Sequence, residues 1–446
     1  MNLVYGVKDK PSFGKTLIFA LQQLLAILAA TIAVPTIIGN GMSQSAALFG
    51  AGVGTIVYLL FTKFRSPVFL GSSFAFLGSM AAAFAGGVSA SLGYLGLVLG
   101  AVFAGLVYVV IAIVVKFAGV KWISKLMPPV VIGPTVAIIG LSLAGNAVGD
   151  AMGGSTNMDI HTILCLVCAL ITLAVVMLCS VFGKKMAKMI PFIIGICAGY
   201  IVATIITLIG NAAGNDALKL IDWSAFTNMK WIPEFTFFQI FKSPFEYGEV
   251  ENIGAYIAKI AIAYVPVAFV VFAEHIADHK NLSSIIGSDL LDDPGLHNTF
   301  LGDGVGSMAG ALFGGCPNTT YGESVGCVAI SGNASVITIL ATAMLAIVAS
   351  FIAPFTTFLA TIPSCVMGGV CISLYGFIAV SGLKMIQPVD LGDNRNLFTV
   401  SVILIAGIGG MTLNFGSVTI TEVACALVLG ILTNVMLSGK KKDETK

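Results

Sequence analysis

Long apolar segments alternate with short polar connections along the whole chain. Most of them are about 17–25 residues long, which lets a helix cross the roughly 30 Å hydrocarbon core of a bilayer. The pattern predicts an all-α polytopic membrane protein that is surrounded by the lipid bilayer. The fourteen predicted spans are 16–35, 45–62, 66–82, 92–117, 128–147, 160–182, 190–210, 254–278, 301–315, 318–332, 335–353, 363–383, 397–412 and 418–438.

The third, ninth and tenth spans are short or interrupted by Gly and Pro. In the tenth, the segment from Asn318 to Gly322 follows a proline and is poor in helix-forming residues. Extended backbone is tolerated at membrane depth only where it pairs with protein or lines a wet cavity. We therefore predict a short strand in each of spans 3 and 10. The strand at Leu70–Ser73 is the expected partner, and a half-helix is expected to begin after each strand.

Two weak sequence repeats relate the halves of the chain. Residues 67–74 match 317–324 at an offset of 250, and residues 128–133 match 363–368 at an offset of 235. These matches fall on spans 3 and 10 and on spans 5 and 12, as a seven-plus-seven repeat requires. Because each set has an odd number of spans, the second set runs inverted. Inverted repeats with interrupted helices are typical of secondary transporters, whose site lies near the midplane.

Charge distribution sets the expected orientation. The chain is 57% hydrophobic and 10% charged, with a formal net charge of +1, so no nucleic-acid partner is expected. With both termini in the cytoplasm, all but four of the 22 Lys and Arg residues fall inside. The prediction is a multi-pass protein of the cell membrane. The four exceptions are Lys219, Lys230, Lys242 and Lys259.

The cysteines do not indicate a metal site. Most of the nine lie in apolar spans, where cysteine acts as a small hydrophobic residue. Cys165 and Cys168 form a CxxC pair, but no second pair completes a ligand set. We therefore expect no metal and no cofactor apart from a coupling ion.

Acidic residues in the spans are the main candidates for function. Glu323 follows the predicted strand at the start of a half-helix, and Ser73 has the equivalent place in the first half. Both could cap free N–H groups there. Glu274 and Asp278 end the eighth span and share one helical face, while Asp303 opens the ninth as a helix cap or a network member. A carboxylate within the membrane is costly and usually functional.

These groups suit a neutral planar ring with alternating N–H and C=O groups. Carboxylates accept hydrogen bonds from ring N–H groups, and backbone N–H groups at the strand ends can donate to ring carbonyls. Tyr321 and Phe74 offer apolar faces for the ring. An inorganic anion would be repelled by Glu274 and Glu323. Two close carboxylates also favour binding of a coupling cation, either a proton or sodium.

Three motifs resemble the nucleobase–ascorbate transporter family, also called nucleobase:cation symporters. They are FLGSSFAF (69–76), VFAEH (271–275) and PNTTYGE (317–323). The resemblance implies fourteen spans in two inverted repeats, divided into a core and a gate domain. Residues 1–126 and 254–354 would form the core, and 127–253 and 355–446 the gate. It also implies a homodimer and elevator-type movement of the core.

The resemblance further implies roles for individual residues. Glu274 and Glu323 would bind the base, the backbone amides of Phe74 and Gly322 its carbonyls, and Ala30, Tyr321 and Tyr375 would line the pocket. Ser73 is a further candidate contact, and proton coupling would involve Glu274, Asp278, Glu323 and Asp303. The chain departs from the family's usual residues at Gln23, Asp278, Ser324 and Ser331.

The expected function is proton-coupled import of a nucleobase. Glu323 favours uracil, while Asp278 together with Asp303 leaves xanthine or another purine open. An inorganic anion transporter of the same architecture is a weaker alternative. No nucleophile and base are arranged as in an enzyme, so we expect no enzymatic activity.

Overall fold

The computed structural model describes residues 3–119, 121–184, 186–415, 418–420 and 422–438. Within this part of the chain, eight helices are long and apolar enough to cross a membrane, or nine if one pair bent by 83° is a single span. The helices are α1 (Phe13–Ile38), α2 (Gln44–Phe61), α3 (Leu77–Phe84), α4 (Ala90–Ala118), α5 (Lys121–Leu126), α6 (Pro129–Ser142), α7 (Ala144–Ala151), α8 (Ile160–Phe182), α9 (Met186–Met189), α10 (Pro191–Ala213), α11 (Thr236–Gln239), α12 (Ile253–Ile286), α13 (Leu296–Gly314), α14 (Gly322–Ser331), α15 (Val336–Ser350), α16 (Ala353–Ala360), α17 (Ser364–Ile386), α18 (Asn394–Ile408) and α19 (Glu422–Leu437).

Local sequence explains where several spans begin. Side-chain oxygens of Ser43, Ser89 and Asn252 accept hydrogen bonds from backbone N–H groups in the first turns of α2, α4 and α12. Proline occupies the start of α6 and of α10, where its missing N–H would have had no partner in the helix. These local features fix helix starts independently of the hydrophobic pattern.

The two predicted strands form and pair. Strand β1 (Leu70–Ser72) is antiparallel to β2 (Asn318–Thr320), with Leu70 opposite Thr320. A 3₁₀ turn at Phe74–Phe76 leads from β1 into α3, and α14 begins directly after β2 at Gly322. All six strand residues are buried, so each backbone needs the other to satisfy its hydrogen bonds. The prediction of extended segments in spans 3 and 10 is confirmed.

The helices pack in two groups. In the first group, α13 packs against α2 and α4, and α15 packs against α1 and α2. In the second group, α17 packs against α6, α7 and α8, and α18 packs against α6 and α19. The groups meet where α1 contacts α10 and α17, and where α12 contacts α6 and α19. This boundary positions the site described below.

The structure changes three expectations about individual spans. Helix α12 continues to Ile286, so Glu274 and Asp278 do not end it. Helix α13 begins at Leu296, well before Asp303, so the interpretation of Asp303 as a helix cap is wrong. The predicted fourteenth span, 418–438, begins in a strand, because β3 (Leu413–Phe415) and β4 (Val418–Ile420) pair between α18 and α19. The β-branched residues Val418, Thr419 and Ile420 suit a strand, and the hydropathy pattern alone did not reveal it.

Some of the expectations concern residues outside the described ranges. The charge argument used Lys185 and the C-terminal residues Lys440, Lys441, Lys442 and Lys446, which lie there. Both ends of the chain, Met1–Asn2 and residues 439–446, lie there as well.

Candidate functional site

A cavity of about 400 Å³ lies at the boundary between the two helix groups. We call it the central cavity. The first group contributes side chains from α1, α12 and the β2–α14 segment, and the second contributes α6, α8, α10 and α17. A volume of this size is ordinary for a small-molecule site. Its lining includes Ala26, Phe74, Val136, Phe192, Glu274, Asp278, Thr319, Thr320, Tyr321, Gly322, Glu323 and Phe377.

The junction of β2 and α14 forms one wall of the central cavity. Tyr321 is the residue before α14, and its hydroxyl donates to the carbonyl oxygen of Ser72 at 2.8 Å. This places the tyrosine ring over β1, where a Cβ on Gly71 would lie only 2.2 Å from ring atom Cε2. Glycine is therefore required at position 71. The contact fixes the tyrosine ring at the cavity wall.

Glu323 lies in the first turn of α14 and lines the cavity. The carboxylate sits beside its own backbone N–H at the positive end of the helix dipole. The residue at the N-cap position is Tyr321, which makes no side-chain capping bond. Glu323 is thus placed to meet a ligand together with the free N–H groups of the α14 start.

The cavity-facing side of α12 carries two carboxylates. Asp278 Oδ2 accepts a hydrogen bond from Thr320 Oγ1 at 2.7 Å, which joins α12 to β2. Glu274, one turn earlier, has no hydrogen-bond partner among the residues that the structure describes. The charges of Glu274, Asp278 and Glu323 are close enough to interact. Helical spacing and the strand crossing thus bring the three acids together, as the sequence predicted.

Three other predicted residues lie next to the central cavity rather than in its lining. Ala30 and Tyr375 are 1% and 3% exposed, and Ser73 is 1% exposed. The Tyr375 ring packs edge-to-face against Phe74, with ring centroids 5.6 Å apart. Tyr375 therefore contacts a wall residue of the cavity from behind. The backbone N–H of Ser73 donates to the carbonyl of Pro317 at 2.9 Å and helps to hold the two strands together.

Asp303 lies on the far side of α12 and belongs to a buried network. Its Oδ2 atom lies 2.8 Å from Nδ1 of His275, whose Nε2 atom is 3.0 Å from the hydroxyl of Thr299. Asp303, His275 and His279 are fully buried. The alternative of Asp303 as a network member is confirmed. The sequence placed both histidines on the face away from Glu274 but gave no sign of their partners.

Two residues that depart from the family pattern contact each other. Gln23 Nε2 donates to Ser324 Oγ at 2.6 Å, and that oxygen also accepts from the backbone N–H of Phe69 at 3.1 Å. These bonds join α1, α14 and the segment before β1 directly behind Glu323. The pair is separated by 301 positions in sequence, so no local pattern could have identified it.

Several lining residues were not predicted. The second helix group adds an apolar wall from Val136, Phe192 and Phe377, together with the exposed cation Lys188. Apolar residues in a span look alike in sequence whether they face lipid or a cavity. Lys188 belongs to a predicted cytoplasmic connection and lines the same cavity. It shares the cavity with the three acids.

Comparison with known proteins identifies the chain's relatives. The Xan_ur_permease model, described as "Permease family", matches residues 14–416. The chain belongs to this permease family. It is 41% identical to the uracil permease of Bacillus caldolyticus, a match that covers 98% of this chain and 95% of the relative. The uracil permeases of Bacillus subtilis (strain 168) and Escherichia coli (strain K12) are 37% and 33% identical, over 98% and 96% of this chain and 96% and 92% of theirs.

Solved structures support the fold. The transmembrane domain of the cyanobacterial bicarbonate transporter BicA matches with a TM-score of 0.64 at 16% identity, covering 96% of this chain and all of that chain. The murine anion transporter Slc26a9 in its inward-facing state also gives 0.64, at 12% identity over 96% of this chain and 69% of that one. The permease is therefore a multi-pass membrane transporter and not an enzyme.

Proposed function

We propose that this permease imports a nucleobase, with uracil as its substrate, by proton symport. The observation that carries the proposal is the central cavity, where Glu274, Asp278 and Glu323 meet the aromatic rings of Phe74 and Tyr321. The chain also shares 33–41% identity with uracil permeases over nearly their full lengths.

The cavity matches the chemistry of a uracil-type ring. Such a ring presents N–H donors and C=O acceptors along its edge and has two apolar faces. Glu274 and Glu323 accept hydrogen bonds from ring N–H groups, and backbone N–H groups of Phe74 and Gly322 donate to its carbonyls. Aromatic side chains pack against the faces. Tyr375 packs against Phe74 from behind, and Ala30 and Ser73 are buried beside this wall.

The acids also provide for ion coupling. Glu274 has no hydrogen-bond partner within the ranges that the structure describes, and its charge interacts with those of Asp278, Asp303 and Glu323. Because like charges in a low-dielectric site repel one another, binding of a proton relieves the repulsion when the cavity fills. One charge crossing a potential of 100 mV contributes roughly 2.3 kcal/mol. Sodium is the competing ion.

The packing supports alternating access between a core and a gate. We propose that the first helix group belongs to a core domain of residues 1–126 and 254–354, and the second to a gate domain of residues 127–253 and 355–446. The β1–β2 register is compatible with inverted halves, since the offset of 250 maps Leu70 onto Thr320, its own partner across the sheet. We propose fourteen spans with cytoplasmic termini, a core that moves as an elevator, and a homodimer formed through the gate.

Xanthine or another purine is the second candidate substrate. Asp278 Oδ2 is held by Thr320 inside the cavity, where it offers a third carboxylate to a larger ring. The fold similarity to anion transporters does not decide the substrate. An inorganic anion would have to bind beside three acids.

Transport by the purified protein tests the proposal directly. Proteoliposomes are given labelled uracil or labelled xanthine, with a proton gradient and a sodium gradient imposed separately. We expect concentrative uracil uptake that is driven by the proton gradient and absent in protein-free liposomes. Xanthine uptake without uracil uptake would transfer the assignment to purines. Failure to carry or bind either base would refute the nucleobase function.

A further inference from the structure

A second cavity, of about 370 Å³, lies at the same boundary between the helix groups. We call it the outer cavity, because the proposed orientation places it towards the exterior. Its wall on α1 includes Ala33 and Thr36, and its wall on the other group includes Asn146, Asp150, Ser364 and Met367. It is therefore a polar chamber built from α1, α7 and α17.

The outer and central cavities lie in line along two helices. On α1, Ala26 lines the central cavity and Ala33 the outer one, a separation of roughly 10 Å along the helix. On α17, the corresponding residues are Phe377 and Met367, roughly 15 Å apart. The buried residues Ala30 on α1 and Tyr375 on α17 lie between these positions along their helices, and Tyr375 packs against Phe74. A thin layer of side chains thus separates the two cavities, which lie along the same boundary between the helix groups.

The outer cavity carries hydrogen-bonding groups that the protein leaves unused. Asn146 and Asp150 are four residues apart on α7, so they project from the same helical face. Within the described ranges, the side chains of Asn146, Asp150 and Ser364 have no hydrogen-bond partner. Asp150 is only half-buried, and its charge reaches Tyr375 in the separating layer. A carboxylate acceptor and an amide donor side by side match an N–H next to a C=O on a ring.

We propose that the outer cavity is a second binding site for the neutral base, which holds it weakly before it reaches the central cavity. This inference rests on the proposed function. Asp150 accepts from a ring N–H, and Asn146 donates to the adjacent carbonyl. A partly exposed site with few apolar walls gives weak, rapidly exchanging binding, which suits a capture step.

Uptake kinetics in proteoliposomes test the role of this site. For Asp150→Asn we expect the KM for base uptake to rise about tenfold with little change in Vmax, because one charge-assisted hydrogen bond is lost. Asn146→Ala should raise the KM several-fold. Asp292→Asn, an equivalent change at an exposed position outside both cavities, is the control and should match the wild type. A KM for Asp150→Asn within twofold of wild type overturns the inference.

Ligand-detected NMR tests binding without transport. Saturation transfer to uracil is measured on the Glu274→Ala/Glu323→Ala protein, in which the central site is removed. We expect a residual signal that disappears when Asp150→Asn is added. No residual signal, or one that survives Asp150→Asn, overturns the inference. The nucleobase function fails separately, when the wild-type protein neither carries nor binds a base.

Discussion

The polar residues on the two faces of α12 differ in their hydrogen bonding. Among the described residues, Glu274 on one face has no hydrogen-bond partner, and Asp278 bonds only to Thr320. On the other face, His279 donates from Nδ1 to the carbonyl of His275 at 2.8 Å, and its Nε2 lies 2.7 Å from the hydroxyl of Tyr58. Tyr58 in turn bonds to Ser66 at 2.7 Å.

This contrast separates histidines that are hydrogen-bonded inside the protein from the acids that we propose bind the substrate. Since a backbone carbonyl can only accept, His279 must carry its proton on Nδ1, and Nε2 then accepts from Tyr58. Both histidines are therefore hydrogen-bonded within the protein and join α12 to α2 and α13. The acidic face is left open at a cavity. We therefore expect substitutions on the acidic face to affect transport, and substitutions on the histidine face to affect stability.

The largest expected effect is loss of transport on the acidic face. Glu274→Ala and Glu323→Ala should each lower uracil uptake about a thousandfold or more, because buried ring N–H groups would lose their acceptors. Melting temperature and yield should stay near wild type. Glu251→Ala, at an exposed position outside the cavity, should transport normally. If both site variants instead misfold, the glutamates stabilise the fold and do not bind the substrate.

On the histidine face, we expect loss of stability. His275→Phe leaves the fully buried Asp303 carboxyl without its partner and should lower the free energy of unfolding by about 3 kcal/mol, a drop of a few degrees in melting temperature. Adding Asp303→Leu should restore much of it, since removing both partners leaves no unpaired group. Reaction of a fluorescent maleimide with buried cysteines such as Cys168 and Cys371 reports the unfolding.

The same pair tests whether Asp303 takes part in coupling. Unchanged melting together with uptake that no longer follows the proton gradient would place His275 and Asp303 in the transport mechanism. Residues on both faces of α12 would then take part in transport.

The smallest expected effect concerns the bond that links the acidic face to β2. Thr320→Val keeps the side-chain shape but removes the donor to Asp278, and it should lower the apparent affinity for substrate about fivefold, or about 1 kcal/mol. Isothermal titration with uracil measures it. Thr204→Val loses a hydrogen bond within α10, away from the cavity, and should bind uracil normally. Equal affinities for all three proteins would show that Thr320 does not position Asp278.

Much of the site was predictable because its signals are local. The proline before Asn318 and the lack of helix formers predicted a strand, and the i, i+4 spacing of Glu274 and Asp278 predicted a shared face. The repeat of 67–74 at 317–324 predicted which strand would pair with which. The family motifs then pointed to Glu323, Phe74 and Tyr321, all of which line the central cavity.

Hydropathy misplaced the ends of some spans. Hydropathy placed the start of the last span at Val418, inside the β3–β4 hairpin, because Val418 and Ile420 are as apolar as the residues of a membrane helix. It also ended the eighth span near Asp278, where polar residues begin, although α12 continues to Ile286. A hydropathy window measures how a segment prefers lipid to water, and it does not measure backbone geometry.

The sequence by itself determined that this chain crosses a membrane, that its backbone is extended at the crossing of β1 and β2, and which acids lie within the spans. These properties depend on neighbouring residues and on the thickness of the bilayer. Only the tertiary structure decided that Asp303 pairs with His275, that Gln23 holds Ser324, and that two cavities line one boundary. Such contacts join residues far apart in the chain, so they exist only once the helices have packed.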